Sequence, residues 1–144
     1  MDLVAAAMLL LVALLLIASV PSPTLAQPTL AWVEQTPGQS PPPRYYHGMA
    51  YHAAAGATII FSGFQTNYLR DTWAWNGSTW TLISDPSEPP ARYRHSMAYD
   101  TQRQVIVLFG GISSGGRLQD TWEFDGTVWT ERTPATIPPA RDSS

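Results

Sequence analysis

The chain carries one unit twice, and an internal repeat restricts its architecture more tightly than any composition could. The first copy reads RYYHGMAY, TIIFSGF and DTWAWNGSTW from Arg44 onward, and the second reads RYRHSMAY, VIVLFGG and DTWEFDGTVW from Arg92. Arg44 to Arg92 and His47 to His95 are 48 residues apart, while Asp71 to Asp120 and Trp80 to Trp129 are 49, so one residue was gained or lost before the Asp. A unit of this size buries its faces by stacking on its neighbours, and its organisation has to be understood before any local motif.

Four strands are expected in each unit. Strand a (47–51; 95–99) alternates His, Met and Tyr with Gly48 and Ala50, or Ser96 and Ala98, so one face allows close approach. Strand b (58–62; 105–109) is a continuous apolar run suited to the middle of a sheet covered on both sides. Strands c (71–75; 120–124) and d (79–83; 128–132) flank Asn76-Gly77 and Asp125-Gly126, turn pairs that predict two-residue hairpins. With alternating strand directions, the b to c and d to a connections share one end of the unit, where the longer and more varied loops lie.

At these residues the chain resembles a kelch-repeat protein, with Gly110-Gly111 after the second strand and the later Trp129 as the carrying motif. The resemblance spans roughly Trp32 to Ser144. It implies an all-β fold, a partial kelch-type β-propeller of four-stranded antiparallel blades with two complete blades and an incomplete ring. Residues 1–26 then form a signal peptide or N-terminal anchor, 27–43 the last strand of a split blade with a Pro-rich linker, and 44–83 the first repeat. Residues 84–91 are a linker, 92–132 the second repeat, and 133–144 a linker and the start of a truncated third. Trp32-Val33-Glu34 matches Trp80-Thr81-Leu82 and is expected as the closing strand of the split blade. About three repeats are needed for an independent array, so the expectation is a piece of a longer propeller or a ring of copies, three chains giving six blades.

The leader differs from the remainder. Leu3 to Val20 is uncharged, Pro21 and Pro23 stop a helix, and Thr24-Leu25-Ala26 precedes Gln27 as a small-residue cleavage site, although Asp2 stands where a basic residue is usual. The expectation is a secreted or extracytoplasmic protein, with membrane attachment only through an uncleaved leader. Without Cys there is neither a lipoprotein anchor nor a disulfide staple. Eight Arg and no Lys against eleven acids leave a net charge of −3 with no basic block, which argues against nucleic acid.

Residues that recur with the repeat are assigned to structure: Arg44, His47, Asp71, Trp73, Trp80, Arg92, His95, Gly110, Gly111, Asp120, Trp122 and Trp129. Arg and Asp at equivalent positions predict charge-assisted links within each unit. His47 and His95 approach the axis but have no carboxylate or Cys at ligand spacing, so no metal and no cofactor is expected. His52, opposite Asp100 in the alignment, is expected in a solvated turn. Asn76-Gly77-Ser78 fits a glycosylation pattern, but turn chemistry explains the Asn.

An exposed aromatic outside the repeat pattern would argue for ligand contact, and that test selects the b to c loops, whose middles vary, which makes Asn67, Tyr68, Arg70, Arg117 and Gln119 the candidate binding residues. The functional expectation is an exported binding module taking a protein or glycan ligand, with no catalytic residue. The alternative is a piece of a sugar-acting kelch enzyme resembling a mutarotase. Copper radical oxidases of this family use a tyrosine crosslinked to cysteine, and this chain has no Cys.

Overall fold

The computed structural model describes residues 31–142. The described residues fall into two units, 31–34 belonging to the first and 35–142 to the second. The leader expected at 1–26 lies outside the described residues, within which no helix is long and apolar enough to cross a membrane. Of the first unit only residues 31–34 are described. Trp32 and Val33 are exposed, and the strand expected there has no pairing partner among the described residues.

The second unit holds two four-stranded antiparallel sheets. The first comprises β1 (Gly48–His52), β2 (Ala57–Phe61), β3 (Thr72–Trp75) and β4 (Trp80–Ile83), hydrogen-bonded in chain order. The second comprises β5 (Ser96–Asp100), β6 (Val105–Phe109), β9 (Thr121–Phe124) and β10 (Trp129–Arg132), also paired in chain order. Between β6 and β9 the loop folds back as a small hairpin, β7 (Ile112–Ser113) with β8 (Gly116–Arg117), an element absent from the sequence expectation. Each large sheet is one propeller blade, with strands a to d in the expected places and bounds shifted by about a residue.

The strand registers define which residues share a face. Gly48, Ala50 and His52 lie on the same side of the first blade as Phe61, Ile59 and Ala57, and that side meets the second blade. From the second blade Met97, Tyr99, Ile106, Leu108, Trp122, Phe124 and Trp129 meet it, so the core lies between the blades. The close approach expected along strand a is visible at Gly48. A Cβ there would overlap His95 Nε2 and lie 2.5 Å from Met97 Sδ.

Two local expectations need correction. Trp75 pairs with Trp80, so the c to d loop runs from Asn76 to Thr79 and is longer than a two-residue hairpin. Only Gly77 takes positive φ, at 98°, while Asn76 Oδ1 accepts from the Ser78 and Thr79 amides at 2.9 Å. Asp125 holds Gly126 the same way, so these are side-chain-closed turns. His52 is also not a solvated turn residue. It ends β1 with 1% of its surface exposed, 4.9 Å from the Tyr99 ring, because the next blade covers that edge.

Candidate functional site

The recurring Arg and Asp residues form one motif in both blades. Arg92 donates from Nη1 and Nη2 to the two Asp120 oxygens at 2.7 and 2.6 Å, from Nη1 to the Gly110 carbonyl at 2.9 Å, and from Nε to Pro90 O at 3.0 Å. Arg44 repeats the set with Asp71 at 2.6 and 2.7 Å, Ser62 O at 3.0 Å and Pro42 O at 3.1 Å. The Trp73 and Trp122 indoles each donate to the same carboxylate at 2.7 Å. Burial would raise both carboxyls, but the Arg and Trp hydrogen bonds outweigh it and hold them below the usual carboxylate range. These groups fasten strand a to the b to c and d to a passages, with four of the five N–H donors of each guanidinium used within the fold.

The same passages couple the repeats. Gly63 N–H donates to Arg92 O at 2.9 Å and Gly111 N–H to Arg141 O at 2.9 Å, so each diglycine position holds the opening of the following repeat. Ser62 replaces the first glycine in the earlier copy. It adopts φ 58°, and its hydroxyl accepts from Arg92 N–H at 3.0 Å while its one proton has the Arg92 and Leu69 carbonyl oxygens within reach at 2.6 and 2.5 Å.

At the loop end this framework assembles an aromatic strip. Tyr45 and Phe64 exchange backbone hydrogen bonds at 3.0 and 2.9 Å, and Tyr93 and Ile112 do the same at 3.0 and 2.8 Å, which draws the d to a residues onto the b to c loops. Tyr68 lies 5.3 Å from the Phe64 ring and 5.6 Å from Tyr93, which in turn lies 5.9 Å from Tyr46. The Arg94 guanidinium sits 4.5 Å over the Tyr46 ring. Arg94 also faces Asp142 at 3.8 Å, and Arg117 bonds the other oxygen of that carboxylate at 2.7 Å. That hydrogen bond keeps Asp142 below the usual carboxylate range. Tyr68 and Arg117, chosen separately from the sequence, thus lie at the two ends of one strip spanning both blades.

The other three loop candidates lie differently. Arg70 donates to the Glu88 and Pro89 carbonyls at 2.7 and 3.2 Å, tying its loop to the linker before the second repeat. Asn67 is exposed, with its carbonyl accepting from Gln65 N–H at 3.2 Å, and Gln119 is exposed. Tyr45, Tyr46, Phe64, Tyr93 and Arg94 were not singled out from the sequence. One signal was available, since Tyr46 and Arg94 occupy equivalent positions and differ.

The histidines lie apart from one another in environment. His47 is exposed, whereas His95 is 4% exposed, its ring 5.6 Å from Phe61 and both nitrogens without a hydrogen-bond partner. Burial, then Arg92 and His47, lower its pKa to about 3, so it is neutral at ordinary pH. Among the described residues no three His, Asp or Glu side chains gather to hold a metal.

Two antiparallel four-stranded blades stacked through a and b strands, each locked by the same Arg, Asp and Trp, define a piece of β-propeller. The family model for the KLHDC2/KLHL20/DRC7 Kelch-repeats domain matches residues 25–144, and the chain belongs to the kelch-repeat family. No curated protein matches the chain. Kelch repeats mark a protein-interaction module.

Proposed function

We propose that the chain is an exported interaction module whose loop end, from Tyr68 through Tyr93, Tyr46 and Arg94 to Arg117, holds a protein ligand. The observation that carries this reading is the continuity of the strip across both blades, with half-exposed Tyr45 and Tyr46 at its surface. Tyrosine and arginine combine apolar area with hydrogen bonding and dominate interface energetics. The glycan ligand and the sugar-acting enzyme fragment remain the competing readings. Export rests on the leader sequence alone.

The test is a peptide array, run beside a glycan array, probed with the full chain. Peptide signal should fall about tenfold when Tyr68 and Arg117 are both changed to Ala, with the circular dichroism spectrum unchanged. Trp129→Ala should instead unfold the blades, since Trp129 is 2% exposed in the core and truncating a buried Trp costs about 3–5 kcal/mol. Signal only on the glycan array, or equal loss of fold from both changes, would sink this assignment. For export, N-terminal sequencing of chain recovered outside the producing cell should begin at Gln27. Recovery only of cell-bound chain beginning at Met1 would refute cleavage and release.

A further inference from the structure

The c to d turn of the first blade carries the run Asn76-Gly77-Ser78, at the end of the blade away from the aromatic strip. Asn76 and Gly77 are both exposed, and no atom lies within 4 Å of the point where a Gly77 side chain would begin. At Gly126, the equivalent glycine of the second blade, the same point has Ala55 Cβ and His52 Nε2 at 3.5 Å. Water therefore reaches the first turn where the neighbouring blade closes off the second.

Hydrogen bonding divides the groups of this turn into held and free. Asn76 Oδ1 accepts from the Ser78 and Thr79 amides at 2.9 Å each and from the Thr79 hydroxyl at 3.3 Å. These bonds fold the carboxamide back over the peptide that follows it. Among the described residues, neither Asn76 Nδ2 nor the Gly77 N–H has a hydrogen-bond partner. Attack of the Gly77 nitrogen on Asn76 Cγ would put the developing negative charge on Oδ1, where three donors already point. Donors fixed in advance around a developing oxyanion lower the barrier to acyl transfer. Gly77 also has no side chain to obstruct the approach.

We propose that Asn76 is a site of self-modification, a deamidation in which the turn supplies both the nucleophile and the oxyanion donors. The Gly77 N–H gives its proton to water, the N–Cγ bond forms, and the Cγ–Nδ2 bond breaks as Nδ2 departs as ammonia. Water then opens the cyclic imide at one of its two carbonyls, leaving an aspartyl or an isoaspartyl residue at this position. The second blade shows what the aspartyl product does. Asp125 Oδ1 accepts from the Thr127 and Val128 amides at 2.8 and 2.9 Å and from the Thr127 hydroxyl at 2.7 Å, so a carboxylate closes the same turn. The isoaspartyl product instead lengthens the main chain by a methylene within the turn that joins β3 to β4.

The experiment is peptide mass spectrometry of the full chain kept warm at neutral and at alkaline pH, with a synthetic segment 71–83 as the unfolded reference. Asn67, the chain's other asparagine, precedes Tyr68 and serves as the internal control. The expected result is the mass gain of an amide-to-acid change at Asn76, faster as pH rises, at least as fast in the folded chain as in the segment, and absent at Asn67 over the same period. Gly77→Ala should slow the conversion about tenfold by crowding and misplacing the attack. Asn76→Asp should unfold at the parent's temperature. An unchanged Asn76, or conversion slower in the folded chain than in the segment, would overturn the proposal. So would a Gly77→Ala chain that converts at the parent's rate, while earlier unfolding of Asn76→Asp would overturn the account of the aspartyl product.

Discussion

His95 shows how one residue records its surroundings in a titration. It is neutral in the folded chain, with a pKa lowered to about 3 from an ordinary value of 6.5, chiefly by burial. The unfolded chain takes up that proton as pH falls below 6.5 and the folded chain does not. Stability from this residue is therefore full above pH 6.5 and declines as pH drops towards about 3, by about 1.4 kcal/mol per pH unit. His47, exposed at its surface but partly desolvated and beside Arg44, is also lowered and acts weakly in the same direction. Urea unfolding should show a loss of roughly 2 kcal/mol between pH 6.5 and pH 5, most of it absent in His95→Leu. An equal loss in that variant would place the proton uptake elsewhere. The sequence marked His95 as a structural repeat residue, but an unpartnered imidazole against Phe61 and Gly48 requires two blades in place.

At the scale of elements, β1 and β5 are the strands by which one blade meets the next. Both begin with the same alternation of large and small residues, and only the structure shows that Gly48 of β1 makes room for His95 just before β5. Gly48→Ala should cost about 1–3 kcal/mol through overpacking. His95→Ala in the same chain should restore at least about 1 kcal/mol of that loss, a coupling that a double-mutant cycle measures directly. Additive losses would mean that the clash is relieved by a backbone shift instead. The strands themselves were legible because each has period-two or continuous apolar patterning between turn residues. The β7–β8 hairpin was not, since Ser113 to Gly116 offers polar and glycine residues with no alternation.

Across the whole molecule, equivalent faces meet different fates. The first blade's second face presents Met49 and Tyr51, each 58% exposed, although their counterparts Met97 and Tyr99 pack in the core. The second blade's far face carries Val105, Val107 and Phe109 beside an ion network in which Glu123 bonds Arg103 and Arg132, where the first blade has Ala74 and Ile83 at the positions of Glu123 and Arg132. These faces are related to the two halves of the inter-blade contact, but Ser96 stands where Gly48 admits His95. A second copy docking its His47 there would overlap the Ser96 Cβ. If copies of the chain meet head to tail, light scattering should show an association that rises with concentration more steeply in Ser96→Gly than in the parent. Identical curves would refute this steric control of self-assembly.

The repeat, its four strands and the Arg and Asp pairing were all determined by the sequence. Each depends on local patterning or on position within a period. Tertiary structure alone decided that His52 is buried, that His95 needs Gly48, and that Tyr45, Tyr46, Phe64, Tyr93 and Arg94 join Tyr68 and Arg117 in one strip. Those facts depend on contacts between residues tens of positions apart, brought together when one blade covers the next. A repeated sequence assigns equivalent residues the same role, while burial depends on which neighbouring face is present.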